Sequence, residues 1–407
     1  MRILYYDWDE FNGSDCRDAM KRLGHDVDSI KIDKMGYDLT SEIEKAFFEK
    51  IFDATFSSVN EQISDNTNRN SSPKYDIIFS FDYFPNISEF CQKYNIPYIS
   101  WVFDCPHYTT DSHTITNSVN KVFFFDKKLF QNKLAQGVST VRYCPLGVNA
   151  ERLSELCQKL DSETNGQIIY EHDVCFLGNL YDNEYNFYDQ VNYLPPYLKG
   201  YVDAIITAQE RVFGADFFTE SAIFSDKHVQ ELREYIKFEQ TGKYEIDYDN
   251  VIRDILRKKV TVNERHHILE EMGKRFDTVL YTTPGAKGID GVANLGTANY
   301  FAKMPRVFRR SKVNLNITLR SILSGIPLRV LDILAAGGFL ITNYQEEIAE
   351  FFVDGQDLVI AYTPEDMIQK TAYYLEHEDE RKEIALNGQR KVLECFAYTK
   401  LLPEILS

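Results

Sequence analysis

The chain of 407 residues carries 62 acidic against 45 basic side chains, a formal charge of −17. That balance argues against a nucleic-acid partner, which needs a basic footprint. A 44% hydrophobic content with 14% aromatics supplies cores for two or three globular domains.

No apolar run approaches the ~18 residues of a membrane span, and no basic-then-apolar leader precedes the first strand. The seven cysteines are scattered and show no CxxC spacing. A cytoplasmic chain with reduced thiols is therefore expected.

In chain order, residues 2–6 read as an apolar strand, 7–14 as a polar loop and 15–23 as a helix stopped by Gly24. With a strand at 25–32, this is the βαβ opening of a doubly wound domain. A helical stretch at 41–63 leads into SDNTNRNSSP, an exposed loop by composition. Strands follow at 75–81 and 97–103, with a helix at 87–94 between them. The second of these strands enters Asp104-Cys105-Pro106-His107, and strands at 121–125 and 140–143 complete the sheet.

Residues 153–166 read as a helix and linker, and a strand at 172–177 opens a second half with Gly178-Asn179 at its carboxyl end. From about 185 to 272 there is helical periodicity and charge without a strand candidate, which predicts a helical insertion. Strands resume at 278–281, 313–319, 339–342 and 358–361, and the tail from Pro364 is helical. The expected fold is α/β, with two Rossmann-like doubly wound domains facing a cleft. Their expected bounds are 1–165 and 166–385, with a final helix at 386–407 packing back on the first domain.

The segment NLNITLRSILSGIPLRVLDILAAGGFLITN, 314–343, reads as strand, Ser/Gly/Pro loop, helix, Gly-Gly and strand. Its acid, Asp332, is expected on the first helical turn, where nucleotide-binding folds place a carboxylate for ribose hydroxyls. Between Asp290 and Asp332 there is no acid, while Lys303, Arg306, Arg309, Arg310, Lys312, Arg320 and Arg329 are basic. In so acidic a chain that window suggests a field reserved for an anion. The Lys303 to Lys312 run also reads as a solvated helix face, and Gly337-Gly338 as a helix cap. His266-His267 read as surface residues on a charged helix.

These motifs, NITLRSILSGIPLRVLDILAAGGFLITNYQEEI (316–348), YYLEHEDERKEIALNGQ (373–389), ISWVFDCP (99–106) and FLGNLYD (176–182), resemble the CgeB-like branch of the GT-B glycosyltransferases. The C-terminal half of that branch belongs to the group 1 superfamily. The resemblance implies a donor nucleotide sugar, UDP favoured, held mainly by the C-terminal domain, and a hydroxyl acceptor on a glycan or a flagellin-like protein.

It implies an acidic pair spaced E-x7-E at 324 and 332. This chain keeps Asp332, for ribose, and has Ser324 beside Gly325 at the first position. Arg320 and Arg329 are the expected diphosphate ligands, since guanidinium forks match phosphate oxygens. The Gly178 and Asn179 amides are placed near phosphate, and Tyr281 and Thr282 flank the base. Asn12 and Gly13 face the acceptor side.

Asp104, at a strand end, is the expected catalytic base of an inverting displacement, with His107 its runner-up. No cofactor or metal is expected, because no His/Asp/Glu group shows metal-ligand spacing. Asp7-Trp8-Asp9 has DxD spacing but falls in the first βα loop of the wrong fold type. The rival functions are a sugar-nucleotide 2-epimerase and a non-catalytic spore-coat or surface-assembly protein.

Overall fold

The computed structural model describes residues 1–31, 41–56, 73–184, 186–238 and 242–407. The polar tract from residue 64 lies, but for Pro73, outside them, as does the end of the helix expected to reach 63.

The first domain runs β1 (Arg2–Asp7), α1 (Gly13–Arg22), β2 (Asp26–Lys31), α2 (Ser41–Phe56), β3 (Ile77–Phe81), α3 (Pro85–Tyr94), β4 (Tyr98–Val102), β5 (Asn120–Phe124), α4 (Lys127–Ala135) and β6 (Val141–Tyr143). Its six strands form a parallel sheet in the order β2-β1-β3-β4-β5-β6. Ile3 and Tyr5 enter one core and Leu4 and Tyr6 the other, the period-two alternation of a sheet covered on both faces.

Helix α5 (Ala150–Ser162) leads to the second domain: β7 (His172–Leu177), α6 (Pro196–Gln209), α7 (Asp226–Arg233), α8 (Tyr248–Gly273), β8 (Thr278–Tyr281), β9 (Val292–Asn294), α9 (Lys303–Arg309), β10 (Ser311–Asn316), α10 (Leu328–Ala335), β11 (Leu340–Asn343), α11 (Glu346–Phe351), β12 (Val359–Ala361), α12 (Pro364–Glu376), α13 (Glu378–Cys395) and α14 (Tyr398–Ile405). This sheet is also six-stranded and parallel, ordered β12-β11-β10-β7-β8-β9. The architecture is two doubly wound α/β domains with a helical insertion in the second.

The insertion builds its own core from residues such as Leu198, Val202, Phe224, Val229, Leu232 and Ile252. Helix α8 does two jobs: its last turns bury Ile268, Leu269 and Met272 against the second sheet. β9 escaped sequence reading because its three residues sit at the sheet edge with no buried position.

β10 stops at Asn316, short of the expected Leu319, because the backbone turns to side-chain partners: Thr318 N–H donates to Asn343 Oδ1 at 2.7 Å and Arg320 N–H to Thr261 Oγ1 at 3.0 Å. Helix α10 begins at Leu328, so Asp332 lies on its second turn, not its first. Gly337, at φ +70°, closes that helix as expected of a cap.

The return to the first domain belongs to α14 alone, since α13 stays packed on α10. The chain breaks at Phe396, Ala397 pairs with Val148, and the Tyr398 hydroxyl accepts from Asn12 Nδ2 at 2.9 Å. Among the described residues no helix is long and apolar enough to cross a membrane. The seven cysteines form no disulfide.

Candidate active site

In the second sheet the chain runs outward from β7 to β8 and β9, then returns to lay β10 on the other side of β7. The strand order therefore reverses between β7 and β10. A crevice opens outside the carboxyl ends of strands at such a point, and open α/β sheets bind ligands there.

Arg265, on α8, reaches into this crevice. Its Nε and Nη2 donate to the Ile317 carbonyl after β10 (3.1 and 2.6 Å), and Nη1 donates to the Asn179 carbonyl after β7. The guanidinium lies 5.2 Å from the centre of the Tyr181 ring, and Lys258 Nζ, two helical turns earlier, lies 5.5 Å from it. Burial depresses the pKa of both cations. Neither has a carboxylate within ion-pair distance among the described residues. Sequence reading missed them because α8 read as insertion; the signal was their seven-residue spacing on one helix face.

Asp332 is 4% exposed, and burial pushes its pKa up to about 6 against the opposing pull of Arg329 and Arg152. Arg329 Nη1 stands 3.5 Å from Oδ2, and the Tyr300 hydroxyl donates to Oδ1 at 3.4 Å. Arg329 also contacts Met304 Sδ at 2.7 Å and lies over the Phe308 ring. Thr282, after β8, is buried and its hydroxyl has no partner among the described residues.

The first sheet reverses between β1 and β3, so its crevice lies outside those two strands. Asp82 follows β3 directly, in the left-handed region at φ +58°. Its Oδ1 accepts the N–H groups of Phe103 and Asp104, both at 2.9 Å, and thereby sets the start of the Asp104 loop. The His107 side chain folds under this loop. Its Nε2 lies 3.0 Å from both the N–H and the carbonyl of Tyr83 and 2.7 Å from Thr109 Oγ1, while Nδ1 stands 3.8 Å from Asp82 Oδ1. The tertiary structure thus gathers Asp82, Asp104 and His107, a metal-capable group that linear spacing does not reveal. Cys105 Sγ donates to the Ser321 carbonyl at 3.0 Å, so the loop touches the second domain.

Other expected ligands are committed elsewhere. The Gly178 N–H donates to the Tyr281 carbonyl at 3.0 Å, which removes it as a phosphate donor. Asn179 Oδ1 accepts from Tyr181 N–H at 2.8 Å. The Tyr281 hydroxyl turns back to His172 Nε2 at 3.1 Å, at the amino end of β7, and so away from the crevice.

Arg320 forms a forked ion pair with buried Glu264 and donates to the Gln209 and Val212 carbonyls, both at 3.1 Å. It fastens the insertion, and Glu264 neutralises its charge, whereas the acceptors of Arg265 are uncharged carbonyls. Four of the window's other cations are likewise neutralised, by acids at the end of α5, just before β7 and at its start. Arg309 pairs with Asp161 at 2.6 Å, Arg306 and Arg310 with Glu171 at 2.9 and 2.8 Å, and Lys312 with Asp173 at 2.6 Å.

Ser324 and Gly325 lie in the domain seam, where the carboxylate of Asp126 accepts both of their N–H groups. A Cβ on Gly325 would stand 3.0 Å from the Phe125 ring. Asn12 is pinned by Tyr398, with its Oδ1 left without a partner. Gly13 is a glycine because a Cβ there would lie 1.9 Å from Glu10 Oε1, so its role is to admit that buried carboxylate. Asp7 and Asp9 pair with different cations, Arg17 and Lys31, which removes the DxD reading. His267 is exposed, as expected, but His266 is half-buried and bonded to Asp182 at 2.9 Å.

Residues 257–407 match the family model described as "Glycosyl transferase-like". The matched stretch begins within α8 and runs to the end of the chain, taking in β10 and α10 but not β7. No curated protein matches the chain by sequence.

Among solved structures, the chain is similar to a glycosyltransferase from Rickettsia africae ESF-5 (11% identity, TM-score 0.48, covering 100% of this chain and 96% of that one). It is similar also to Anabaena Alr3699/HepE in complex with UDP and glucose (10%, 0.49, 100% and 98%). A third is the DNA-modifying beta-glucosyltransferase (11%, 0.49, 100% and 100%). With TM-scores below 0.5, these are likenesses of outline and decide nothing about residues or ligands.

Proposed function

We propose that the chain is a glycosyltransferase of the CgeB-like branch. It moves a hexose or N-acetylhexosamine from a nucleoside-diphosphate donor, UDP favoured, to a hydroxyl of a glycan or protein acceptor in the cytoplasm. The observation that carries this reading is the pair Lys258 and Arg265 at the β7/β10 crevice, two cations without carboxylate partners. A diphosphate between them would meet fixed positive charge, and charge developing on it as it leaves would be stabilised without reorganisation. The match of residues 257–407 to a glycosyl transferase-like family supports the same reading.

Asp332 would accept the ribose hydroxyls, steadied by Arg329, and the unpartnered Thr282 hydroxyl offers the base a hydrogen bond. With two protein cations on the diphosphate, the donor needs no bridging metal. Asp104, across the cleft, would take the proton of the incoming hydroxyl in a single inverting displacement, with His107 beside it.

Isothermal titration with UDP, GDP and dTDP in the presence of EDTA tests the donor site. UDP is expected to bind, and no heat with any of the three would end the reading. A donor screen with the product linkage read by NMR tests the chemistry. An α-linked product from an α-donor would remove Asp104 as an inverting base, and conversion of donor without acceptor would instead mark a 2-epimerase.

A further inference from the structure

The crevice of the first sheet holds more acid than a single base requires. We propose that Asp82, Asp104 and His107 form a binding site for a divalent cation of the kind that takes mixed carboxylate and imidazole ligands, Mn²⁺ or Zn²⁺.

One ligand atom from each residue lies within 4.8 Å of the other two. Three donors each ~2.1 Å from one ion stand about 3.0–3.6 Å apart, so the cluster closes with side-chain movements of at most roughly 1–2 Å. The residues come from two adjacent strand ends, β3 and β4, and the first of them sits at the strand-order reversal.

A second observation points to a ligand. Asp82 is 0% exposed, and two backbone N–H groups hold its Oδ1, yet its Oδ2 has no hydrogen-bond partner among the described residues. A buried carboxylate oxygen without a donor is costly, and a second carboxylate nearby adds to the cost. An ion between them relieves both.

The imidazole is already oriented for such an ion. Thr109 Oγ1 and the Tyr83 carbonyl can receive Nε2–H, and Nδ1 then turns its lone pair toward Asp82. The Tyr83 N–H also approaches Nε2, so an ion on Nδ1 would select between two tautomers that this pocket supports.

Three protein ligands leave coordination positions open, the pattern of a catalytic and not a purely structural ion. The binding claim stands without the transferase reading; only its use rests on that reading. An acceptor hydroxyl on the ion would lose its proton more readily, and Asp104, coordinating through one oxygen, would keep the other to receive it.

The test is a Mn²⁺ titration of the full-length, chelator-stripped protein followed by electron paramagnetic resonance, with no nucleotide present. The expected result is one saturable Mn²⁺ per chain, displaced by Zn²⁺. Affinity should be at least tenfold weaker in both Asp82→Asn and His107→Gln, with circular dichroism checking that each variant folds. No saturable binding by the unaltered protein overturns the proposal, as does affinity within threefold of it in His107→Gln. UDP binding in EDTA without Mn²⁺ binding would sink only the cation site, and Mn²⁺ binding without UDP binding only the donor site.

Discussion

The carboxylate of Asp126 holds Ser324 twice across the domain seam, through its N–H at 2.9 Å and its hydroxyl at 3.0 Å. The same carboxylate accepts the N–H groups of Leu323 and Gly325 at 2.7 and 3.1 Å, and caps α4 through Leu129 N–H at 3.0 Å. Glu347 shares the hydroxyl from the other side, at 2.7 Å. Ser324, expected from the resemblance to stand at the donor site, is instead a fastening of the seam. Asp126→Ala leaves buried N–H groups without an acceptor and should lower stability by about 3–5 kcal/mol in urea unfolding, with Asp126→Asn milder. A loss under about 1 kcal/mol would show that the seam does not depend on this carboxylate.

Asp332 should reveal a conflict between stability and binding. Its pKa of about 6 lies above the ~3.9 of an unfolded aspartate. Ionisation therefore disfavours the folded state: the penalty is absent below pH ~4, grows up to about pH 6, and above that amounts to roughly 3 kcal/mol. Asp332→Asn should stabilise the protein at pH 8, by about 1–2 kcal/mol after loss of the Arg329 contact, and leave it unchanged at pH 4. The same variant should bind UDP about tenfold or more weakly, a charged hydrogen bond being lost. Equal unfolding midpoints at pH 8 would refute the assigned burial.

Arg320 and Lys258 should separate cleanly. Arg320→Ala strands the buried Glu264 carboxylate and should destabilise the fold by about 3–5 kcal/mol, with little change in UDP affinity once folded. Lys258→Ala removes a cation without an ion-pair partner. It should leave stability within about 1 kcal/mol and weaken UDP binding by an order of magnitude. If titration calorimetry gives the reverse pattern, the diphosphate lies beside Arg320.

The segment ahead of α8 straps the insertion to the first domain. Lys243 pairs with Glu89 at 2.8 Å and Glu245 with His113 at 2.8 Å, and Asp247 N–H donates to Asp111 at 3.0 Å. These pairs are solvent-accessible, so each contributes at most about 1 kcal/mol and weakens with salt. Amide exchange of residues 243–247 should speed up severalfold between 50 mM and 1 M salt while the global unfolding midpoint barely moves. Salt-insensitive exchange would mean that the Tyr108 contact with the insertion core, and not charge, holds the strap.

The candidate residues that the sequence singled out and that the structure leaves at strand–helix boundaries were those whose chemistry is local. Asp332 stood out as an acid beside a Gly/Pro loop and at a strand–helix boundary, and Asp104 as an acid ending an apolar strand. Arg320 misled because a sequence shows a cation but not the Glu264 that neutralises it from 56 residues away. The acid-free window misled for the same reason, four of its cations finding partners between the end of α5 and the start of β7. Lys258 and Arg265 were passed over because the role proposed for them depends on where α8 ends up.

The sequence by itself determined the two parallel sheets, the helical insertion and the βαβ placement of Asp332, since strand burial, helix periodicity and Gly/Pro punctuation are read over a few residues. Only the tertiary structure decided which charges remain without partners and which strand ends adjoin. Pairing Arg320 with Glu264, Ser324 with Asp126 and Asp82 with the Asp104 loop depends on sheet order and domain docking, which bring together residues that no local pattern connects.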